Sequence, residues 1–195
     1  HGFKILIMRY ADLVDLYEYL EKTPARLKKV EAIADLFRKT GTELLPKVAL
    51  LVQGRVFSSW SEEEIGIASQ MMIKIISIAT GFSENEVTGR FKKSGDFGLV
   101  VEGLIERKKQ RTLFSKPLTV DKVFDNLQKL AGIVGKGSQE RKFNLVSELI
   151  SSAGPKEAKY IVRTTIGDLR IGVAEGVVRD AIAKAFLENQ GEQKN

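Results

Sequence analysis

The segment from Gly135 to Lys142 carries residues suited to binding phosphate. Its two glycines let the backbone approach a ligand closely, and we expect Ser138 to cap the helix that follows. Free amides and the dipole at a helix start favour an anion. An ordinary capped loop with solvated charges explains the same residues equally well. This is not a Walker loop, because the four-residue spacer and the Gly-Lys-Ser/Thr ending are missing. The candidate phosphate-binding residues are Gly137, Ser138 and Lys142.

A second candidate turn lies between Arg163 and Gly172, ahead of a helix predicted from Val173. Hydroxyls, backbone amides and arginines are the usual phosphate-contacting groups, and this segment combines all three. A structural salt bridge through Arg170 is the alternative. A similar turn at Gly95 follows two lysines. The candidate residues of the two turns are Arg163, Thr165, Gly167, Arg170 and Gly172, with Lys93 and Gly95.

Other polar groupings do not make a catalytic or metal site. Asp121 and Asp125 share a helix face, but no third ligand or histidine joins them. The acidic run 62–64 is better explained as the favourable first turn of a helix. The chain has no cysteine and one histidine, at position 1, which excludes structural disulfides and thiolate zinc sites.

Positive charge is concentrated in the middle of the chain. Residues 87–142 hold thirteen Lys or Arg against six Asp or Glu, a net of +7, whereas all 195 residues carry +6. The sequence pI is about 9.4. This balance suits a polyanionic partner, although ribosomal and membrane-surface proteins share it. No run of eighteen apolar residues predicts a membrane span, so we expect a cytoplasmic protein without a membrane partner.

Hydrophobic periodicity predicts helices throughout, and strand signals are scarce. One long buried helix is expected from Ile65 to Ala79. The residue pairs Ser61–Glu64 and Ser83–Glu86 fit capping boxes. Prolines 24, 46 and 155 are placed to start helices, and glycines 41, 81 and 154 to end them. We therefore predict an all-α fold, a compact array of about 10–12 short helices.

An internal repeat predicts two pseudo-symmetric halves. Gly81 and Gly154 lie 73 residues apart, each between two predicted helices. Gly95-Asp96 and Gly167-Asp168 follow at nearly the same offset, and Glu102-Gly103 corresponds to Glu175-Gly176. Chance similarity among helices is the alternative. Because duplex DNA is locally twofold, a duplicated unit would present similar turns to both backbones.

No linker divides the helical region, so we expect one domain over residues 8–187. Met8 looks like a natural start, which makes residues 1–7 an extension or tag remnant. Residues 188–195 turn polar and are expected to form a tail or the start of a linker.

Two stretches carry a family resemblance, Gly95–Glu102 and Ile161–Glu175. They resemble the best-marked segments of the N-terminal domain of ATP-dependent DNA ligases, most closely the archaeal replicative ones. The resemblance runs from about Met8 to Phe186, and its most specific part is Leu169–Glu175.

The resemblance implies an all-helical domain of two similar halves that binds nicked duplex DNA through the minor groove on both sides of the break. Gly167, Arg170 and Gly172 should lie at that groove, with the remaining candidates Arg163, Thr165, Gly137, Ser138, Lys142, Lys93 and Gly95 as neighbours. Asp168 replaces a basic residue of the eukaryotic ligases, and we assign it no phosphate contact.

The resemblance also implies what this chain lacks. Ligases form a lysine–AMP intermediate at a Lys-x-Asp-Gly motif, and the chain contains no Asp-Gly dipeptide. We expect no catalytic residue and no cofactor in these 195 residues. ATP and Mg²⁺ would serve the catalytic domains of the parent protein, which would encircle the duplex together with this domain. The parent protein would be a prokaryotic, nucleoid-associated ligase.

The basic segment 107–117 resembles a shortened sliding-clamp (PCNA) binding motif, and archaeal ligases carry such a segment here. Gln110 would fill a polar pocket, while Leu113 and Phe114 would enter an apolar groove. Alternatively, these two apolar side chains pin the loop onto the core. Two other functions stay open: a clamp-binding scaffold with DNA binding secondary, and a DNA binder built of helix-hairpin-helix elements.

Overall fold

The computed structural model describes residues 6–108 and 116–187, and within them the chain forms ten α-helices and no strand. The predicted all-α class and the lower end of the predicted helix number are confirmed. The helices are α1 Tyr10–Lys22, α2 Arg26–Lys39, α3 Leu45–Leu51, α4 Ser69–Thr80, α5 Glu84–Ser94, α6 Phe97–Arg107, α7 Val120–Lys129, α8 Ser138–Ser151, α9 Pro155–Ile166 and α10 Glu175–Phe186.

Local sequence signals fix several helix ends. The hydroxyl of Ser83 accepts a hydrogen bond from the Glu86 amide and so caps α5. Gly81 ends α4 in the left-handed conformation, where glycine carries no steric penalty. Pro155 is the first residue of α9, where its missing N–H costs nothing. These three predictions are confirmed.

The helix predicted from Ile65 starts later, at Ser69. Gly66 has a φ of +67°, a conformation through which a right-handed helix does not continue. Residues 62–64 are therefore not a helical first turn, and Ser61 forms no capping box with Glu64. The Ser61 hydroxyl instead accepts a hydrogen bond from the amide of Glu63. The apolar periodicity continues through residues 65–68, but the left-handed conformation of Gly66 prevents these residues from forming a helix.

The landmarks of the predicted repeat do not share a conformation throughout. Gly81 is a left-handed C-cap, whereas Gly154 has a φ of −70° and lies at the start of α9. Glu102 lies in the middle of α6, whereas Glu175 is the first residue of α10. Only Gly95 and Gly167 match, as left-handed C-caps of α5 and α9. The symmetry predicted from these landmarks is therefore not supported at this spacing.

The core is one continuous cluster of apolar side chains, within which α2 packs on α10, α4 on α8, and α6 on α9. The fully buried Tyr17 donates its hydroxyl proton to the carbonyl of Leu51 and so joins α1 to the end of α3. No described helix is long and apolar enough to cross a membrane.

Two charged contacts join the helices that flank this core. Lys47 of α3 reaches both Asp121 and Asp125 of α7, at 2.6 and 2.9 Å. These two aspartates therefore share a lysine, and no group of three metal-ligand side chains occurs in the described part of the chain. On the opposite pair of helices, Lys159 of α9 lies 3.0 Å from Glu18 and 3.4 Å from Glu21 of α1.

The contact with α9 lowers the pKa of Glu18. Burial alone would raise the pKa of Glu18, but hydrogen bonds from Tyr160 and Lys159 and nearby ammonium charges outweigh it and lower the pKa to about 2. A carboxylate whose pKa is lowered on folding stabilises the folded state above its ordinary pKa, and this contribution is lost as the pH falls through the folded value.

We expect the free energy of unfolding to decrease as the pH falls from 4.5 toward about 2, since in this window the Glu18 carboxylate is protonated in the unfolded state only. Glu18→Gln should lower stability at neutral pH and flatten the acid dependence, as measured by urea unfolding at several pH values. Glu43→Gln, at an exposed position, is the matched control. An acid dependence of Glu18→Gln equal to that of the wild type would contradict the assignment.

Candidate nucleic-acid interface

The segment between α9 and α10 forms an irregular turn that Arg170 ties to a neighbouring turn. Arg170 has a φ of +59°, the one positive value at a non-glycine residue in the described ranges. Its guanidinium donates to the carbonyl of Gly95 at 2.8 Å and to the carboxylate of Asp168 at 2.7 Å. The turns at Gly95 and Gly167, predicted as equivalents in two separate halves, therefore lie side by side.

Asp96 is the buried carboxylate on which both turns depend. Its side chain is 4% exposed, accepts hydrogen bonds from the amides of Gly98 and Leu99, and so caps α6. It also lies 2.6 Å from Arg163 Nη2 and 3.6 Å from Arg170 Nη1. Burial would raise the pKa of Asp96, but Arg163, the Gly98 amide and Arg170 together lower it. Asp96 is therefore a charged anchor between α6, α9 and the Arg170 turn.

Arg163 and Thr165 were predicted to neighbour DNA, and the structure corrects this. Arg163 is 2% exposed, because its guanidinium is enclosed between Asp96 and Glu21. Thr165 is 3% exposed and donates its hydroxyl proton to the carbonyl of Ile161. Both side chains are buried and engaged inside the protein. They stabilise α9 and the turn that follows it from inside the protein.

Lys29 holds the far end of the same turn from α2. It is 8% exposed and donates to the carbonyl oxygens of Ile171, at 2.7 Å, and Gly172, at 3.0 Å. Gly172 has a φ of +63°, and a Cβ built there would lie 2.6 Å from the Lys29 ammonium. Only glycine fits this position without displacing the lysine.

A second turn of the same design precedes α4, and the sequence reasoning missed it. Residues 65–68 read Ile-Gly-Ile-Ala, and residues 171–174 read Ile-Gly-Val-Ala. Gly66 and Gly172 have φ values of +67° and +63°. Ala68 and Ala174 are the N-caps of α4 and α10, at φ, ψ of −92°, 169° and −90°, 165°. The recurrence of Ile-Gly-x-Ala before a helix was the available signal.

Lys142 joins the first of these turns to the start of α8. Its ammonium donates to the carbonyl of Ile65 at 3.3 Å. An open cavity of about 840 Å³ then separates the 65–68 turn from the end of α9, lined by residues 54–59, 63–68 and 164–167. Lys142 therefore contacts one wall of the cavity, and Gly167 lines the opposite wall. The turn at residues 65–68, which lies between these two predicted site residues, was not predicted.

The start of α8 remains open to an anion, although not as predicted. Gly137 is the N-cap, Ser138 is the first helical residue, and no side-chain hydrogen bond caps the helix. The predicted capping role of Ser138 is therefore wrong, because the left-handed Gly137 takes that position. Uncapped amides at a helix start bind anions well, and Gly137 is exposed to solvent. Arg141 fixes the loop by donating to the carbonyl of Val134.

Lys93 and Gly95 are both exposed, at the end of α5 beside Arg170. The positive charges of Lys92 and Lys93 lie in the last turn of that helix, where they also favour its dipole. The predicted clamp-binding residues Gln110, Leu113 and Phe114 lie outside the described residues.

The sequence of this chain is similar to those of known DNA ligases. The family described as "DNA ligase N terminus" matches residues 9–183. A DNA ligase of Methanothermobacter thermautotrophicus is 47% identical over 177 residues, which cover 91% of this chain and 32% of that protein. DNA ligases of Thermococcus fumicolans and Nanoarchaeum equitans are each 44% identical over 179 residues, 92% of this chain and 32% and 31% of theirs. The chain spans about a third of the length of these curated relatives.

We expect Asp96→Asn to lower the free energy of unfolding by about 3 kcal/mol, since it leaves the buried Arg163 without its closest counter-charge while an amide can still cap α6. Chemical denaturation measures this. Asp168→Asn, at a half-exposed carboxylate that also pairs with Arg170, is the control and should change stability by no more than about 0.5 kcal/mol. Equal effects of the two variants would show that Asp96 is not the anchor described here.

Proposed function

The chain belongs to the family of DNA ligase N-terminal domains, and we propose that it holds nicked duplex DNA for sealing by the catalytic part of a ligase. The observation that carries this proposal is the Arg170 turn. Buried charges on two sides fix an irregular backbone segment, while the Arg170 side chain stays 40% exposed. A turn held this firmly and still open to solvent suits a rigid contact to a ligand.

The chemistry of the surface favours the sugar-phosphate backbone over base edges. Lys92, Lys93 and Arg170 surround the paired turns, and the uncapped start of α8 offers amides and the exposed Lys136. Such groups contact phosphate and sugar in most protein–DNA complexes and carry little sequence information. The binding proposed here is therefore tolerant of sequence, and it occurs in the minor groove, where base identity is poorly displayed.

Nick sealing itself belongs, in this proposal, to the parent protein. The relatives are DNA ligases about three times the length of the matched region, and these 195 residues carry no Lys-x-Asp-Gly motif. Adenylation with ATP and Mg²⁺ would take place on the remaining part of such a ligase, in the cytoplasm at the nucleoid. The domain's contribution is to present the duplex to that part.

Arg170→Ala should weaken binding to nicked duplexes of different sequence to a similar extent and reduce the slope of log Kd against log salt by about one, as loss of one phosphate contact does. Fluorescence anisotropy with labelled nicked duplexes, repeated over a range of salt concentrations, measures both quantities.

Lys22→Ala removes an exposed charge from the end of α1 and serves as the matched control. It should leave the affinity nearly unchanged. Unchanged affinity of folded Arg170→Ala at low salt would remove this residue from the interface. Absence of any wild-type duplex binding at low salt would instead favour a scaffold that binds the clamp alone.

A sliding clamp is the second partner that we propose, on the sequence of the basic segment 107–117. Gln110 followed by the apolar pair Leu113 and Phe114 fits an anchor-and-pocket interaction. The flanking lysines and arginines would favour an acidic clamp surface.

Replacing both Leu113 and Phe114 with Ala should abolish clamp binding and leave duplex binding nearly intact, because the two anchors and the DNA turns lie in different segments of the sequence. Calorimetric titration with the clamp and anisotropy with nicked DNA test the two partners independently. Thr112→Ala in the same segment is the control. Loss of duplex binding together with global unfolding would identify the two side chains as part of the core.

A further inference from the structure

The two Ile-Gly-x-Ala turns are each held by a lysine that comes from a distant part of the chain. Lys29 of α2 donates to the carbonyls of Ile171 and Gly172, before α10. Lys142 of α8 donates to the carbonyl of Ile65, before α4. Each ammonium also faces the glycine of its turn, since a Cβ at Gly172 or Gly66 would lie 2.6 or 3.1 Å from it. The same device therefore occurs twice, with the same groups in the same roles.

These contacts are reciprocal between two sets of helices. We define the first half as α1–α4 and the second half as α7–α10. The turn before α4 belongs to the first half but is held by Lys142 of the second, and the turn before α10 belongs to the second half but is held by Lys29 of the first. Helix packing is crossed in the same way, because α2 packs on α10 and α8 packs on α4.

Other contacts recur in pairs under the same exchange of halves. The Tyr10 amide donates to the Leu118 carbonyl, and the Val120 amide donates to the Met8 carbonyl, so the residues before α1 and α7 face each other. Ion pairs join α3 to α7 through Lys47 and α9 to α1 through Lys159. The lysine contacts are thus part of a twofold arrangement and not a coincidence of two loops.

The ammonium group of Lys29 is held by backbone carbonyls. Among the described residues, no acidic side chain lies within ion-pair distance of Lys29, and its ammonium donates to the two turn carbonyls. A buried ammonium ion needs such acceptors, so removing it leaves the turn carbonyls without their donor and frees a backbone segment that no helix stabilises. The effect of each lysine should therefore appear at the turn of the opposite half.

We propose that Lys29 and Lys142 are positioning residues for duplex binding, each of which sets the DNA-contacting turn of the opposite half. This rests on the proposed function. The two turns then contact the duplex on the two sides of the nick, as a twofold arrangement of turns matches the local twofold symmetry of duplex DNA. Loss of one lysine disturbs one side of the complex and leaves the other in place.

Hydroxyl-radical footprinting of the 195-residue chain on a duplex with one defined nick tests the pairing. Two variants first map the sides: Ala68→Glu and Ala174→Glu place a negative charge at the exposed N-caps of α4 and α10, where each should abolish protection on one side. Lys142→Met should then lose protection on the Ala68 side, and Lys29→Met on the Ala174 side, each with a loss of affinity on the order of tenfold. Lys29→Arg keeps the charge and should retain protection on both sides.

The opposite pairing, or equal loss on both sides in folded variants, overturns the inference, because a merely structural lysine would weaken the whole footprint. Unchanged protection in both lysine variants overturns it as well. If Lys29→Met does not fold, the less buried Lys142 decides the question alone, since its loss must coincide with the Ala68 side. A wild-type footprint on one side only removes the inference and leaves the proposed function standing, whereas no binding at all removes both.

Discussion

The buried carboxylate of Asp96 is the interaction on which the candidate interface depends. A charge that is 4% exposed must be compensated, and three separate elements supply the compensation: the first amides of α6, the guanidinium of Arg163 in α9, and that of Arg170. Because removing one partner of a buried pair costs about 3–5 kcal/mol, these elements cannot shift independently. The place of the Arg170 turn relative to Gly95 follows from this one requirement.

The irregular turns at the interface are stabilised through their carbonyl oxygens, so that the backbone amides at the following helix starts stay available to a ligand. In the two Ile-Gly-x-Ala turns, lysine ammonium groups bind carbonyl oxygens, and the alanine N-caps leave the first amides of the following helices free of side-chain caps. In α5 and α6, by contrast, the side chain of a serine or an aspartate at the N-cap accepts hydrogen bonds from the first amides, which are then no longer free for a phosphate. Stabilising a turn through its carbonyls therefore keeps a surface of positive potential that a phosphate backbone can use.

Much of the fold could be predicted from the sequence, because local signals decide it: apolar periodicity placed most helices, and Gly81, Ser83 and Pro155 marked their ends. The site was less predictable. Arg163 looked like a surface arginine because the sequence does not show that Asp96 and Glu21, 67 and 142 residues away, enclose it. The turn at residues 65–68 was hidden inside an apolar pattern that suggested a helix. Short-range chemistry was readable, whereas burial of charge and long-range contacts depend on packing.

The twofold arrangement raises a question of polarity, since a nick has a 3′-hydroxyl on one side and a 5′-phosphate on the other. Two equivalent turns cannot distinguish these sides. Helices α5 and α6 lie between the two halves and break the equivalence, because their junction at Gly95 joins only the turn before α10, through Arg170. That turn therefore gains the charges of Lys92 and Lys93, whereas the turn before α4 lines an open cavity together with Arg55. The two turns are therefore unequal in their charged surroundings, which is the kind of difference that a holder of a directional nick requires.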